Sequence, residues 1–496
     1  MKTAKTSKRA LLCSVLSIAL CLSMLIGTTF AWFTDTATTA VNKIQAGNLD
    51  IELQMKEGDK WVNAEGKTLN WVKAANGASQ EILWEPGATY KLPELRVINN
   101  GNLALKYKIV ISGAKDANAE NNKDDLILMN VLDWTYSISG NGGEAVSNLD
   151  TERHLAAKTT NADVFDTLTI QAKMRETAGN EYQGLAIEGI AITVVATQDT
   201  VEYDSVDNQY DKDAEYPTLV ATGDELQAIV SSATAPVNIV LTNSITTNNF
   251  VIPADTDVTL DLNGFTLTGG DTHAILNRGT LCIKDSSGNG KIVASKANTS
   301  ALRNGDGAVC VIEGGTFTRA DGEDNKWHTV ENFGTMTFNG GKVIAEDGQS
   351  FAIVNGWNYM NPGEQKATMT INNIEMNAGP NGLKNCAGGI LTMNGGTLHC
   401  TDYWGLSNDS TGVATINGGK ITSDGYVAIS DGGAKMEING GTFTGPQGSL
   451  YVQTYAQDTV VKGGSYQNET VDFMQGYCPD GYTAKSDGGM VVVSKD

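Results

Sequence analysis

The chain contains few histidines and few prolines for its length. Its 496 residues include four histidines and nine prolines, against 55 glycines. Long runs with helical periodicity are nearly absent. A glycine-rich sequence of this kind is typical of short strands joined by many turns, so we expect an all-β fold. The chain also exceeds one ordinary core, so two or more domains are expected.

The shortage of histidine argues against a zinc centre in the first 200 residues. Only His154 lies there, and the motif H-E-x-x-H does not occur, whereas zinc needs several converging ligands. We therefore expect no metal and no cofactor. The acidic segment 201–217 is expected to be a solvated linker, and Ca²⁺ binding by it is the alternative.

Positive charge is scarce as well. There are 35 Lys and Arg against 57 Asp and Glu, which gives a formal net charge of −22. Such a surface repels nucleic acid and anionic lipid. Nucleic acid is therefore not expected as a partner, and contact with a membrane is expected only during export.

Cysteine is limited to seven residues, two of which lie in the N-terminal apolar run. An odd number in the rest of an exported chain argues against a full disulfide framework. Buried thiols are favoured, with one incidental bridge as the alternative. The five remaining cysteines are Cys282, Cys310, Cys386, Cys400 and Cys478.

The longest apolar run stands at the start of the chain, from Leu11 to Ile26, after four cations. It is short for a membrane span of about 20 residues, and polar sequence follows it at once. This pattern is typical of a secretory signal. We expect residues 1–31 to be the signal peptide, with cleavage between Ala31 and Trp32. An uncleaved N-terminal anchor is the alternative.

Four sequence stretches carry a family resemblance. They are T-F-A-W-F-T-D at 29–35, A-G-N-L-D-I-E-L at 46–53, and the strand-like segments 84–109 and 182–198. Together they resemble the TasA/camelysin family of Gram-positive bacteria. The resemblance implies a SipW-dependent type of signal peptide, export through a dedicated signal peptidase, and assembly with like subunits into biofilm matrix fibres. Relatives have been classed as metallopeptidases, a chemistry that the residues of this chain do not support.

The resemblance also implies a role for the segment after the signal. Trp32, Phe33, Val41 and Ile44 would belong to an arm that completes the sheet of the next subunit, and such a head-to-tail contact propagates into a filament. A frayed or internally paired terminus is the alternative.

The hydrophobic pattern of residues 32–200 predicts one antiparallel β-sandwich. Apolar residues alternate with polar ones at Tyr107, Ile109 and Ile111, a period typical of half-buried strands. Such strands pack well in two layers.

Residues 218–496 form a repeat array. Nine turn pairs recur at intervals of 22 to 33 residues, which predicts a parallel β-helix of about nine coils. A short helix over 222–233 is expected to cover its open end. The likeness to pectin-lyase-type domains implies a right-handed coil. Three residues after each turn stands an apolar residue: Leu267, Ile292, Phe317, Val343, Met376, Leu398, Ile421, Phe443 and Tyr466.

A second column of the array is polar. Its members are expected to mark a tight bend, because Asn tolerates positive φ, and to hydrogen-bond from coil to coil. They are Asn277, Asn304, Asn332, Asn355, Asn385, Asn408 and Asp431.

Two sets of side chains in the array are candidates for a site. Long loops carry the candidate glycan-binding residues Trp327, Trp357 and Tyr359, and Trp404 lies in a later coil. Core packing is favoured for Trp404, as for His273, His328 and Phe351.

The acidic residues of the array are mostly in turn contexts, and a hydrolase would need two of them paired. They are Glu331, Asp402, Asp409, Asp424 and Asp431.

These observations favour an exported cell-surface or biofilm-matrix protein with a structural or adhesive role and no enzymatic reaction. Polysaccharide is a further candidate partner. The alternative is a carbohydrate-active β-helix enzyme, either a polysaccharide lyase or a glycoside hydrolase.

Overall fold

The computed structural model describes residues 49–64, 67, 69–73, 85–112, 115–117, 128–149, 151–158, 162–182, 185–188, 191–199, 215–320, 327–345, 350–356 and 366–496. Several predicted features lie outside these residues. They are the signal peptide with Ala31 and Trp32, the arm residues Phe33, Val41 and Ile44, most of the acidic linker, and Trp357 and Tyr359.

The N-terminal part is built from antiparallel strands. The strands are β1 (Ile51–Glu57), β2 (Lys60–Asn63), β3 (Val72–Lys73), β4 (Thr89–Lys91), β5 (Leu95–Asn99), β6 (Leu105–Ser112), β7 (Lys115–Ala117), β8 (Leu132–Gly140), β9 (Gly143–Val146), β10 (Arg153–Leu155), β11 (Val164–Met174), β12 (Ala186–Glu188) and β13 (Ala191–Gln198). Two 3₁₀ turns lie at Leu128–Val131 and Asn180–Tyr182. One sheet has the order β2-β1-β5-β11-β4-β3, with β8 on β11 and β9 on β8; a second has the order β10-β6-β13, and β12 pairs with β7.

The two larger sheets share one hydrophobic core. Leu95 and Leu168 of the first sheet and Ile109 and Leu155 of the second belong to the same buried cluster. Alternating inward side chains from two facing sheets are the basis of a two-layer sandwich.

A buried ionic group ties these sheets together. Asp166 on β11 accepts hydrogen bonds from the Tyr107 hydroxyl (2.7 Å), from Arg153 Nε (2.9 Å) and from the Gly142 amide (2.8 Å). Arg153 also donates to the Glu144 carbonyl. A Cβ at Gly142 would come within 2.2 Å of the Asp166 carboxylate, so only glycine fits there. The buried charges are thus paired and hydrogen-bonded, as burial requires.

One residue at the end of the predicted linker contacts the sandwich. The Tyr216 hydroxyl donates to Glu152 over 2.9 Å, and Lys108 Nζ lies 4.8 Å from the centre of the Tyr216 ring. The acidic segment therefore meets the sandwich at its last residues.

The C-terminal part is a parallel β-solenoid with three sheets. The strands of its first sheet are Thr218–Val220, Val237–Leu241, Asp257–Asp261, Thr280–Lys284, Val309–Ile312, Thr335–Phe338, Ala367–Ile371, Gly389–Met393, Val413–Ile416, Lys435–Ile438 and Thr459–Val461. Those of the second are Ile245–Thr247, Thr266–Gly269, Lys291–Ala294, Thr316–Arg319, Lys342–Ala345, Glu375–Ala378, Thr397–Cys400, Lys420–Ser423, Thr442–Thr444 and Gly464–Gln467. Those of the third are Val251–Ile252, Ile275–Asn277, Leu302–Asn304, Val330–Asn332, Phe351–Asn355, Asn381–Asn385, Trp404–Asp409, Val427–Gly432 and Leu450–Val452.

The solenoid has about ten turns, not nine. The nine turn pairs correspond to the second to tenth coils. The first coil, from Val237 to Ile252, turns through Thr242, Asn243 and Ser244. It has no glycine pair at that corner, so the glycine spacing alone does not reveal it.

The expected apolar column is confirmed. Its nine members pair in register from coil to coil in the second sheet, from Leu267 to Tyr466, and all are fully buried. Burial of each side chain contributes about 1.5–3 kcal/mol. In-register parallel pairing makes one sequence position the same spatial position in every coil, which is why the column was readable.

Helices stand near both ends of the solenoid. Helix α1 (Gly223–Ser232) begins with a capping box in which Thr222 and Glu225 bond each other's backbone N–H, and Leu226 and Val230 belong to the solenoid core. Helix α2 (Val471–Gln475) is followed by a hairpin of Tyr482–Asp487 and Met490–Lys495, which pairs antiparallel with the last strand of the second sheet.

All five cysteines in the array are free thiols. Cys310, Cys386 and Cys400 are buried, and Cys282 and Cys478 are partly exposed. Over the part of the chain that the structure describes, no helix is long and apolar enough to cross a membrane.

Candidate functional site

The polar column of the third sheet forms a continuous chain of hydrogen bonds, here called the inner ladder. Each asparagine donates its Nδ2–H to the Oδ1 of the member one coil further on, over 2.8 Å in five links and 2.9 Å in the last. The members are Asn277, Asn304, Asn332, Asn355, Asn385, Asn408 and Asp431, and all are buried.

The expected reason for asparagine in this column was wrong. None of the seven residues has a positive φ. They stand at or next to the ends of strands. The side-chain oxygens of Asn277, Asn332 and Asp431 accept the backbone N–H two residues on, over 3.1, 3.2 and 3.1 Å. This is the geometry of an Asx turn, and it bends the chain without positive φ.

The inner ladder has a direction, which explains its last residue. An amide side chain both donates and accepts, whereas a carboxylate only accepts. Asp431 accepts from Asn408 Nδ2, from the Gly433 amide (3.1 Å) and from the Thr459 hydroxyl (2.6 Å). A chain of donors thus ends on a group that has only acceptors.

A second ladder, missed in the sequence, runs along the exposed corner between the first and second sheets. Here each Nδ2–H donates to the preceding coil, over 2.8–2.9 Å, and the final acceptor is Glu313 Oε1 at 2.9 Å. This outer ladder therefore runs opposite to the inner one, and it too ends on a carboxylate. A repeated Asn directly before the turn pairs was the available signal. Its members are Asn339, Asn372, Asn394, Asn417 and Asn439.

A groove of about 670 Å³ lies next to the outer ladder. Gly315 and Gly341, both with φ near +90°, are part of its lining. Lys342 and Glu375 form an ion pair of 2.8 Å on it. The lining is polar and apolar in similar parts.

Glu331 forms a buried polar cluster on the third sheet. It follows the inward Val330, so strand alternation places it on the outer face, yet it is only 2% exposed. Its Oε2 accepts from the Ser300 hydroxyl (2.8 Å) and lies 3.5 Å from Arg303 Nη1. Burial raises the pKa of Glu331, and the charges of Arg303 and Arg319 oppose that shift. His273 Nδ1 lies 3.9 Å from the same oxygen, Glu331 Oε2.

Two histidines lie in the same region. His273 Nδ1 accepts from the Ser300 amide over 2.9 Å, and His328 Nδ1 lies 2.8 Å from the Ser350 hydroxyl. Burial lowers the pKa of each to about 4. Both imidazoles are therefore neutral at pH 7.

Trp327 belongs to this cluster. Its ring centre lies 5.0 Å from that of His328. Its buried indole N–H has no hydrogen-bond partner within normal distance and angle limits. This N–H nevertheless lies near Glu331, where it favours the charged form of the carboxylate and so lowers the pKa of Glu331. Among the four candidate glycan-binding residues, Trp327 is thus packed against the solenoid.

Trp404 is not a core residue, contrary to the favoured expectation. It is half-buried and stands beside Tyr403, with ring centres 5.6 Å apart, and it is not part of the solenoid core cluster. His328 is buried as expected, whereas Phe351 and His273 are half-buried.

The candidate acids occupy different settings. Asp431 ends the inner ladder, Glu331 is in the buried cluster, and Asp409 lies 3.4 Å from Lys384 Nζ. Asp402 and Asp424 are exposed. None of these five acids is paired with another among the contacts of the described residues. The groove beside the outer ladder is lined by two other acids, Asp285 and Glu375, and by Lys342, which pairs with Glu375.

His154 contacts two carboxylates, with Nδ1 2.9 Å from Asp199 Oδ2 and Nε2 3.6 Å from Glu152 Oε1. In the described ranges, no group of three or more His, Cys, Asp or Glu is arranged to hold a metal ion.

Comparison with known proteins concerns the start of the chain. Residues 6–60 match the family model described as camelysin metallo-endopeptidase. The structure describes residues 49–60 of that range, which include β1. No curated protein matches the chain. The similarity thus concerns a short N-terminal part of the chain, and the solenoid stands outside it.

Proposed function

We propose that this is an exported cell-surface or biofilm-matrix protein in which the solenoid is a stiff structural or adhesive rod. Residues 1–31 are the signal peptide, cut before Trp32 by a dedicated signal peptidase of the SipW type. A TasA-like sandwich over 32–200, a linker over 201–217 and a right-handed, pectin-lyase-like β-helix over 218–496 complete the chain. Helix α1 caps the first coil.

The uninterrupted inner ladder carries the structural part of this proposal. Six hydrogen bonds join seven successive coils through buried side chains. Such a network favours a rigid body, because every amide has its partner. The match over residues 6–60 supports the extracellular part.

The proposal includes polymerisation through the arm that contains Trp32, Phe33, Val41 and Ile44. Electron microscopy of the purified chain beginning at Trp32 tests it, beside the same chain without residues 32–45. Filaments are expected from the first and not from the second. Filaments in neither preparation would rule out assembly through this arm while leaving export untouched.

One observation favours the enzymatic alternative. Burial raises the pKa of Glu331, which is a property of general acids. Release of reducing or unsaturated ends from polysaccharides, abolished by Glu331→Gln, would support a hydrolase or lyase. We expect no release.

A further inference from the structure

We infer that the last coils of the solenoid carry a binding face for a neutral polysaccharide with flat sugar faces, such as a β-linked glucan. The face consists of Tyr403, Tyr426, Tyr451 and Tyr455 and is called the tyrosine face. The inference depends on the proposed function in one respect: the extracellular role is what brings the chain into contact with such a polymer.

Exposure sets the tyrosine face apart. Tyr403, Tyr451 and Tyr455 are 51%, 42% and 58% exposed. They make up three of the five large hydrophobic residues that are exposed in the described part of the chain. Aromatic rings held at a solvent surface in this number indicate a binding site.

The register of the coils places two of these tyrosines at equivalent positions in successive coils. Trp404 pairs with Val427, so the preceding residues, Tyr403 and Tyr426, occupy the same position one coil apart. The Ser423 hydroxyl donates to the Tyr403 carbonyl and accepts from the Tyr426 amide, which fixes the two backbones. Successive coils are about 4.8 Å apart, close to the length of one sugar unit in a chain.

The remaining two tyrosines extend the face across the third sheet. Tyr451 pairs with Ser430, and its ring centre lies 6.4 Å from that of Tyr426 in an edge arrangement. Tyr455 lies over Gly432, where a Cβ would come within 2.5 Å of its ring. Glycine at 432 therefore allows the Tyr455 ring to lie against the coil.

Charge decides what class of polymer fits. Asp402 and Asp424 are exposed beside Tyr403 and Tyr426, and the chain as a whole carries −22. Uronate and phosphate polymers are repelled by such a surface. Lys384 is paired with Asp409. A neutral sugar chain fits this surface: the tyrosine hydroxyls can form hydrogen bonds with sugar hydroxyls, while the rings stack on the C–H faces of the sugars.

A protein partner fits less well. A stable protein interface buries about 800 Å² on each side around an apolar centre. Besides these tyrosines, the exposed large hydrophobic residues in the described segments are Leu49 and Phe473. A narrow row of amphipathic rings suits a chain of sugars better.

Native gel electrophoresis of the purified full chain in gels that contain hydroxyethyl cellulose tests this inference. Retardation is expected with that neutral polymer and not with polygalacturonate. The double variant Tyr403→Ala/Tyr451→Ala should weaken binding about tenfold. Tyr403→Phe/Tyr451→Phe keeps the rings and should bind within about twofold of the parent chain.

The control is Phe473→Ala, which removes an exposed ring from helix α2, where Phe473 is 36% exposed. It should leave retardation unchanged. Equal thermal unfolding of all variants shows that they fold. The inference is overturned if no neutral β-glucan retards the chain, if polygalacturonate is preferred, or if the alanine variant binds as tightly as the parent chain. Self-association in sedimentation that these alanines abolish would assign the face to a second copy instead.

Discussion

Asn408 donates its Nδ2–H to Oδ1 of Asp431 over 2.9 Å, and this is the link at which a chain of buried amides meets a carboxylate. The outer ladder ends in the same way, with Asn339 donating to Glu313. Both ladders thus stop at a group that cannot donate. The two differ in burial, since the inner ladder is closed off from solvent and the outer one is exposed.

This difference predicts unequal costs for the same substitution. Asn385→Ala removes a buried link and leaves the amide of Asn355 and the oxygen of Asn408 without ladder partners, which should lower the free energy of unfolding by about 2 kcal/mol or more. Asn394→Ala, in the outer ladder, should cost less than about 0.5 kcal/mol because water replaces the lost bonds. Urea unfolding measures both. Equal costs would show that burial does not govern the ladders.

Replacement of the terminal carboxylate should depend on what replaces it. Asp431→Asn keeps an acceptor for Asn408 and should cost about 1 kcal/mol or less. Asp431→Ala leaves the donors of Asn408, Gly433 and Thr459 without this acceptor. Each donor that water does not reach should lower the free energy of unfolding by about 1–3 kcal/mol. The order of unfolding midpoints checks this, and an asparagine variant that is as unstable as the alanine variant would contradict it.

The pH dependence of stability should reflect His273 and His328. Their folded pKa of about 4 lies below the ordinary 6.5, so the unfolded chain binds more protons between these values. Stability should therefore be full above pH 6.5 and fall as the pH drops toward 4. Glu331 opposes this trend, because its raised pKa makes the folded chain bind a proton more readily.

Thermal unfolding from pH 7 to pH 4 measures the effect. His328→Gln should weaken the pH dependence of the free energy of unfolding, by an amount that corresponds to at most about one bound proton. His399→Gln, which removes a half-buried histidine from the strand Thr397–Cys400, near Asp424, is the matched control. An unchanged slope in the His328 variant would contradict burial of a neutral imidazole.

Features that recur in every coil were easier to predict from the sequence than features that occur once, although one repeating feature was missed. The apolar column and the polar column were readable because each coil returns the same position to the same place. The outer ladder has the same periodicity, but alignment on glycine hid the Asn before it. The first coil was missed because Thr242 to Ser244 lack glycine.

Pairs outside the repeat could not be predicted. Tyr107 and Asp166 are 59 residues apart in sequence, and no period connects them. Strand alternation predicted which face Tyr107 lies on, but which buried charge it meets is decided by how the two sheets stack. The domain limits likewise stay predictions.

The thiols should be unreactive in the folded chain. Burial raises the pKa of Cys386 to about 12 and those of Cys282 and Cys400 to about 11, so little thiolate forms at pH 8. Thiol-reactive dye should label Cys386 and Cys400 only on unfolding, and Cys478, which is partly exposed, first. A reducing agent should leave the melting temperature unchanged. Loss of stability on reduction would reveal a disulfide that the structure lacks.

The buried ionic group in the sandwich should be sensitive to loss of one partner. Asp166→Ala leaves Arg153 charged and buried, at a cost of about 3–5 kcal/mol. Tyr107→Phe removes one hydrogen bond and should cost about 1–2 kcal/mol. Arg175→Ala, which breaks an exposed pair with Asp133, should change stability by less than about 1 kcal/mol. A small effect of Asp166→Ala in urea unfolding would contradict this arrangement.

The most direct test of the central claim is the N-terminal sequence and location of the chain in a Gram-positive host that has the dedicated signal peptidase. The account predicts a surface or extracellular product that begins W-F-T-D, from Trp32, and that accumulates uncut when the peptidase is deleted. A chain that stays in the cytoplasm with residues 1–31 attached would contradict it.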